Sequence, residues 1–128
     1  MKAHRLLDVF RPPPKDAFFI SYRGRTFTCP RRAAPDHILD QMRRRRAFYE
    51  ADLLAVLDAK VAGRKGVALD IGANVGNHSL FFAGVMGLRT AAFAPVSENR
   101  DLVKRPAGLN GREDRIEAHE RKRVRPCA

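Results

Sequence analysis

Val67-Ala68-Leu69-Asp70-Ile71-Gly72-Ala73-Asn74-Val75-Gly76-Asn77-His78-Ser79-Leu80-Phe81-Phe82-Ala83 is the stretch whose reading decides the fold of this 128-residue chain. Val67 to Ile71 is apolar, too short for a helix and bounded by Gly66 and Gly72, so it reads as a strand. Asn77 to Leu88 is long enough for three helical turns. A strand that runs through glycines into a helix points backbone N–H groups at whatever lies over the strand's carboxyl end. That arrangement suits a nucleotide-type cofactor. Gly72 can take angles closed to residues with a β-carbon and lets a ligand approach the main chain, and Gly76 lets the helix start close against the strand. Asn74 is the non-glycine residue that best tolerates left-handed angles. Asp70, near the strand's end, offers a carboxylate to an ammonium or hydroxyl; the alternative is an ordinary strand-to-helix turn.

Length and composition fit one globular domain, because 45% hydrophobic and 30% charged residues are ordinary for such a chain. The longest apolar run, Leu80 to Leu88, is broken by two glycines and falls short of the roughly 20 residues a membrane span needs. Asp8 interrupts the one apolar segment near the start and Arg11-Pro12-Pro13-Pro14 follows, so no signal-peptide core is formed and a cytoplasmic location is expected, with no membrane partner. Cys29 and Cys127 lie far apart, and His4, His37, His78 and His119 are scattered; neither set has the spacing of a metal site or a disulfide framework.

The net charge of +11 is uneven, with Arg43 to Arg46 in one block and Arg121, Lys122, Arg123 and Arg125 in another. Such a balance invites a nucleic-acid reading. Neighbouring residues on a helix lie about 100° apart, so four consecutive arginines cannot share one face and are expected in a solvated turn or link. No aromatic residues are interleaved with the blocks, as a single-strand platform would require, so nucleic acid is the lesser reading.

Taken in order, residues 1–16 read as an extended lead-in. Ala17 to Tyr22 and Thr26 to Cys29 suggest a hairpin turning at Arg23-Gly24-Arg25. Asp36 is the expected N-cap of a helix carrying Ile38, Leu39 and Met42, and a second helix shows Leu53, Leu54, Leu57 and Val61 on one face. Residues 17–62 thus form an accessory layer leading to the first sheet strand. Arg89 to Ala94 is the second parallel strand, since a crossover needs a helix of about this length. A helix from Ser97 to the Asn110-Gly111 stop and a third strand, Arg115 to His119, complete residues 63–119, and residues 120–128 read as a disordered basic tail.

Asp70-Ile71-Gly72-Ala73-Asn74-Val75-Gly76-Asn77-His78-Ser79-Leu80, with Phe48-Tyr49-Glu50-Ala51-Asp52-Leu53-Leu54 before it and Ala92-Phe93-Ala94-Pro95, Glu98-Asn99 and Leu109-Asn110-Gly111 after it, resembles the N-terminal half of the FkbM family of S-adenosylmethionine-dependent methyltransferases. The resemblance runs from about Ile20 to His119. It implies an α/β fold: the first three parallel strands of a Rossmann-like class I methyltransferase sheet with their helices, preceded by the hairpin and helices. It also implies S-adenosylmethionine as cofactor and, in complete relatives, O-methylation of a small molecule or sugar hydroxyl. Carried over, Asp70, Gly72, Ala73, Asn74, Gly76, Asn77 and His78 would line the methionine side, Phe93, Ala94 and Pro95 would flank the adenosine, and Tyr49 and Glu50 would approach from the preceding helix. For three of these a structural role stays open: Tyr49 as core packing, Glu50 as a helix-start carboxylate, His78 as a bond to a carbonyl of the first turn.

The chain departs from the family pattern in three places. Ala94 stands where the family has the glutamate that holds the ribose, Pro106 stands inside the second helix where an asparagine is usual, and the resemblance ends after the third strand. An interior proline costs about 3 kcal/mol. Without the acceptor-binding half, the chain is expected to be a truncated fragment, inactive alone, with strand Val67 to Ile71 left as an apolar edge open to self-association. No catalytic base is assigned. The rival readings are a basic nucleic-acid-binding module and a gene remnant without function.

Overall fold

The computed structural model describes residues 11–94 and 97–120. The expected lead-in before Arg11, the tail beyond Glu120 and Pro95 lie outside the described residues.

Two strands, β1 (Ala17–Tyr22) and β2 (Arg25–Pro30), form an antiparallel hairpin in the register Ala17↔Pro30 to Tyr22↔Arg25. Arg23 (φ 46°) and Gly24 (φ 76°) both take positive φ, as a two-residue turn must if its twist is to match the strands. Helix α1 (His37–Arg45) starts where Asp36 accepts from the backbone N–H of Ile38 and Leu39, at 3.0 and 3.1 Å. It ends at Arg46, whose left-handed φ of 51° closes the C-cap, and Arg43 to Arg46 are all exposed. Helix α2 (Ala51–Val61) buries Leu54 and half-buries Leu57, but Leu53 is 51% exposed. Leu53 therefore does not belong to the packed face expected of it, since Leu54, about 100° further round, took the core position.

The second unit begins with β3 (Val67–Ile71), continues through α3 (Asn77–Gly84), β4 (Arg89–Ala94) and α4 (Ser97–Leu109), and closes with β5 (Ile116–Glu120). The three strands form a parallel sheet in the order β3-β4-β5. Both strands of the central crossover fall where the sequence places them. Helix α3 is shorter than the expected Asn77 to Leu88: its C-cap is Val85, the Met86 N–H returns to the Phe81 carbonyl, and Gly87 takes φ 67°. Strand β5 sits one residue beyond the expected Arg115 to His119, so Glu120 belongs to it rather than to the tail. Pro106 does not end α4. The helix runs on to Leu109, with the proline ring buried near Gly76.

Layering departs from the expectation that the hairpin segment merely leads into the sheet. The main core joins Phe18, Ile20, Phe27, Leu39, Met42, Phe48 and Leu54 to Val75, Leu80 and Phe81, and so lies between the hairpin segment and α3. Phe81, fully buried, meets Tyr22 and Phe48 edge-on at centroid distances of 5.0 and 5.2 Å. Burying such a ring stabilises the fold by about 1.5–3 kcal/mol, with about 0.5–1.5 kcal/mol for each aromatic pair. A smaller core of Ala73, Ala83, Ala92, Val103, Ala107 and Ile116 lies between the helices and the sheet. Helices α3 and α4 are thus covered by the sheet on one side and the hairpin on the other. Gly84 makes this closeness possible, because a β-carbon there would come within 2.9 Å of the Phe27 ring.

Two asparagines stitch the units together. Asn77 accepts from the Tyr49 N–H and donates to the Tyr49 carbonyl, both at 2.9 Å, and Asn110 does the same to Thr28 at 2.8 and 2.7 Å. Each side-chain amide copies the pairing of a neighbouring strand, satisfying a donor and an acceptor at once. The far face of the sheet has no such cover. Val67, Leu69 and Ile71 are 64%, 63% and 81% exposed, and β3 has a neighbour on one side only among the described residues.

Asn110→Ala removes both partners of Thr28, and lost pairing of partly buried backbone groups costs about 1–3 kcal/mol. Thermal unfolding should therefore fall by several degrees, against an exposed control, Lys104→Ala, that stays within about 0.5 kcal/mol. An unchanged melting temperature for Asn110→Ala would remove the clamp from this account.

Candidate cofactor site

The loop from Asp70 to Asn77 turns the chain from the carboxyl end of β3 into α3. Gly72 (φ 80°), Asn74 (φ 49°) and Gly76 (φ 77°) take left-handed angles, as expected for the two glycines and the asparagine. Their surroundings differ. A β-carbon at Gly72 would meet no atom within 4 Å, so the space above it is open, whereas one at Gly76 would stand 3.1 Å from the Val103 Cα. Gly76 therefore serves close packing against α4, rather than against the strand as its place in the motif implied.

The loop is held down by the neighbouring strand: the N–H groups of Gly72 and Ala73 donate to the Phe93 carbonyl at 2.9 and 3.1 Å. Gly76 then donates to the Ala73 carbonyl at 2.8 Å, and no side chain caps α3. The first-turn N–H groups of α3 consequently have no side-chain acceptor, and a helix leaves such groups without intrahelical partners. Gly72 and Asn74 are exposed, Ala73 and Val75 buried. The loop thus presents the bare backbone of Gly72, and beside it the exposed Asn74, to its open side.

The residues singled out in the sequence divide into three groups. Gly72, Ala73, Asn74 and Gly76 form the loop itself. Asp70 is 6% exposed and accepts from the Ser79 hydroxyl at 2.5 Å, so its carboxylate ties β3 to α3. Asn77 spends both ends of its amide on Tyr49. Tyr49 packs half-buried against the main core, with its ring edge-on to His37 at 6.4 Å, in keeping with the packing role left open for it. Glu50 (φ 56°) stands at the start of α2 but makes no capping bond with its side chain. Its Oε2 lies 4.0 Å from His78 Nε2, a nitrogen shielded from solvent and without a hydrogen-bond partner. Glu50 and His78 are therefore brought together beside the loop.

On the other side of the loop, Phe93 stacks on His119 at 5.1 Å with 21° between the rings, on the open face of the sheet. Ala94 is 1% exposed and carries no polar atom, so it offers no group to a ribose. Pro95 lies outside the described residues. The sequence reading missed His119, the Ser79 partner of Asp70 and the Asn110 clamp. Only the parity of β4 and β5 could have signalled the first, and nothing local marks the others.

Two open clefts of about 270 and 320 Å³ lie elsewhere, one among Phe18, Arg31, Asp36, Leu39, Asp40 and Arg43, the other between Val67, Arg89 and Glu117 at the amino ends of the strands. Neither borders the glycine loop. The chemistry of a strand-loop-helix site comes from its backbone, so the loop and not either cleft is the candidate. Among the described residues no three His, Cys, Asp or Glu side chains are grouped to hold a metal ion, and no helix is long and apolar enough to cross a membrane. Cys29 is 1% exposed, and burial pushes its thiol up to about 12, which leaves it protonated and unreactive.

No family model and no curated protein matches the chain. Solved structures do. The crystal structure of geranyl diphosphate C-methyltransferase from Streptomyces coelicolor A3(2), in complex with Mg2+, geranyl diphosphate and S-adenosyl-L-homocysteine, matches over 70% of this chain and 36% of its own, with 16% identity and a TM-score of 0.50. YjhP from E. coli matches over 57% of this chain and 30% of its own, with 20% identity and a TM-score of 0.50. The fold is accordingly the α/β fold shared with these structures, here a three-stranded parallel sheet with its helices and a small antiparallel hairpin. The chain spans about a third of the length of either structure.

Proposed function

We propose that the loop from Asp70 to Asn77 binds S-adenosylmethionine and that the chain is the cofactor-binding half of a methyltransferase of the FkbM type. One observation carries the reading. Above Gly72, at the carboxyl end of a parallel strand and beside the uncapped start of α3, there is free space with a left-handed backbone beneath it. The S-adenosyl-L-homocysteine in the methyltransferase structure of the same fold supports the choice of ligand.

Gly72 and Asn74 would carry the methionine part on their backbone, and the Glu50 side chain, beside His78, would face its ammonium group. The exposed Glu50 carboxylate would be the counter-charge of that ammonium. The adenosine would lie towards Phe93, without a carboxylate from Ala94. When bound, the cofactor supplies a methyl group on a sulfonium sulfur already activated for displacement. The protein's task is then to hold an acceptor oxygen in line with it. The acceptor on this reading is the hydroxyl of a small molecule or sugar, and no residue of this chain is assigned to hold it.

We also propose that the chain self-associates through β3, whose unpaired backbone edge and exposed Val67, Leu69 and Ile71 invite a second copy. Sedimentation velocity should show a concentration-dependent dimer or larger species for the natural chain and a monomer for Leu69→Glu/Ile71→Glu. A natural chain that stays monomeric at all concentrations would refute it.

The cofactor reading is tested by calorimetric titration of S-adenosyl-L-homocysteine into the natural chain and into Gly72→Val. A β-branched residue at φ 80° is strained and its γ-carbons enter the open space, so binding should be lost while circular dichroism stays native. Equal affinity in the two forms would exclude the loop as the site.

A further inference from the structure

The hairpin segment carries the positive charge of the described protein. Residues 11–62 hold eleven Lys and Arg against six Asp and Glu, while residues 63–120 hold eight against seven. Eight of the eleven are arginines of the hairpin and α1, all exposed: Arg23, Arg25, Arg31, Arg32 and Arg43 to Arg46.

Hydrogen bonds fix how they follow one another. Arg31 adjoins the start of β1, its N–H donating to the Asp16 carbonyl at 2.7 Å and its Nε to the Ala17 carbonyl at 3.3 Å. Arg31, Arg32 and Arg43 line one open cleft. Arg44 and Arg45 complete the last turn of α1, and the Arg46 carbonyl accepts from the Ser21 N–H at 3.0 Å near the far end of β1. Arg23 and Arg25 follow at the hairpin turn. Six strand residues span roughly 20 Å, which sets the length of the track.

Three of the eight face carboxylates: Arg23 to Asp58 at 3.5 Å, Arg32 to Asp36 at 3.7 Å and Arg43 to Asp40 at 3.9 Å. Arg25, Arg31, Arg44, Arg45 and Arg46 have no carboxylate within 4.0 Å among the described residues, but Arg25 donates to the Gly84 carbonyl and Arg31 to that of Ala17, which leaves Arg44, Arg45 and Arg46 without a side-chain partner. Cations at the end of a helix interact favourably with its dipole, which accounts for part of the α1 block but not for the arginines of the hairpin.

We infer that this track binds the phosphodiester backbone of a nucleic acid, independently of the cofactor loop. Guanidinium groups match phosphate oxygens in a bidentate geometry, and a row of them fits a ligand whose charges repeat. An acidic protein partner is disfavoured because a protein interface needs an apolar centre. The exposed large hydrophobics lie on α2 and β3 instead: Leu53, Val56, Val67, Leu69 and Ile71. Readout is of backbone and not of bases. The two rings beside the track are taken, since the Arg23 guanidinium lies 5.2 Å from the Tyr22 centroid and that of Arg25 lies 5.3 Å from the buried Phe27.

Fluorescence anisotropy with the full chain tests this, using labelled single-stranded RNA, single-stranded DNA and duplex DNA of mixed sequence, and a polyglutamate peptide of equal charge. Arg44, Arg45 and Arg46, whose side chains have no hydrogen-bond or ion-pair partner among the described residues, predict on three phosphates a slope of log affinity against log salt of about −2.1 or steeper on a single strand, roughly a twentyfold loss between about 50 and 200 mM salt. Arg44→Ala/Arg45→Ala should make that slope shallower by about 1.4, whereas Lys104→Ala/Arg105→Ala on α4 should leave it unchanged. The basic residues beyond Glu120 are present in every form and cancel in the difference. Single-stranded and duplex probes differ only in which backbone geometry fits best, so binding of any of them with this slope change supports the inference. An Arg44→Ala/Arg45→Ala variant that circular dichroism shows folded and that binds with the natural slope would overturn it. So would tighter binding of polyglutamate than of every nucleic acid.

Discussion

Helix α3 is buried on both sides, and the rest of the structure is arranged to make that possible. Its eight residues meet the sheet through Ala83 and the hairpin core through Leu80 and Phe81. Close packing on two faces demands small residues at the contacts, and Gly76 and Gly84 supply them against Val103 and the Phe27 ring. Two polar side chains buried by the same arrangement are paired, Asp70 with Ser79 and Asn77 with the Tyr49 backbone, whereas Nε2 of His78 is not.

The candidate site inherits its geometry from this packing. The glycine loop is pinned below by the Phe93 carbonyl and at its end by α3, so its open side is backbone held in left-handed angles. Glu50 reaches His78 because the Asn77 clamp holds the adjoining Tyr49 in place. The hairpin segment thus does two jobs. It closes the back of α3, and it brings a carboxylate to the loop.

Local chemistry made much of this legible in the sequence. The limits of β3 and β4, the Asp36 cap, the hairpin turn and the left-handed Asn74 all follow from residues within a few positions of one another. What escaped depends on partners far along the chain. Asn110 lies 82 residues from Thr28 and Asn77 lies 28 from Tyr49, so neither clamp has a signature in spacing. An interior proline in α4 reads as a breaker, yet the helix continues to Leu109 with Pro106 buried near Gly76. The side chains of the quoted motif were also partly misleading: Asp70 and Asn77 have the chemistry of ligand contacts, but the structure spends them on its own backbone and helix.

The central claim is that the hairpin segment and the glycine-loop unit form one cooperative body joined through α3. Native-state amide hydrogen exchange tests it at Thr28 and Tyr49, whose N–H groups donate to Asn110 and Asn77, by comparison with Leu80 and Phe81 in α3. One cooperative body predicts the same opening free energy at all four amides, equal to that of global unfolding. Exchange at Thr28 and Tyr49 through a separate, lower-energy opening, with α3 still protected, would contradict it.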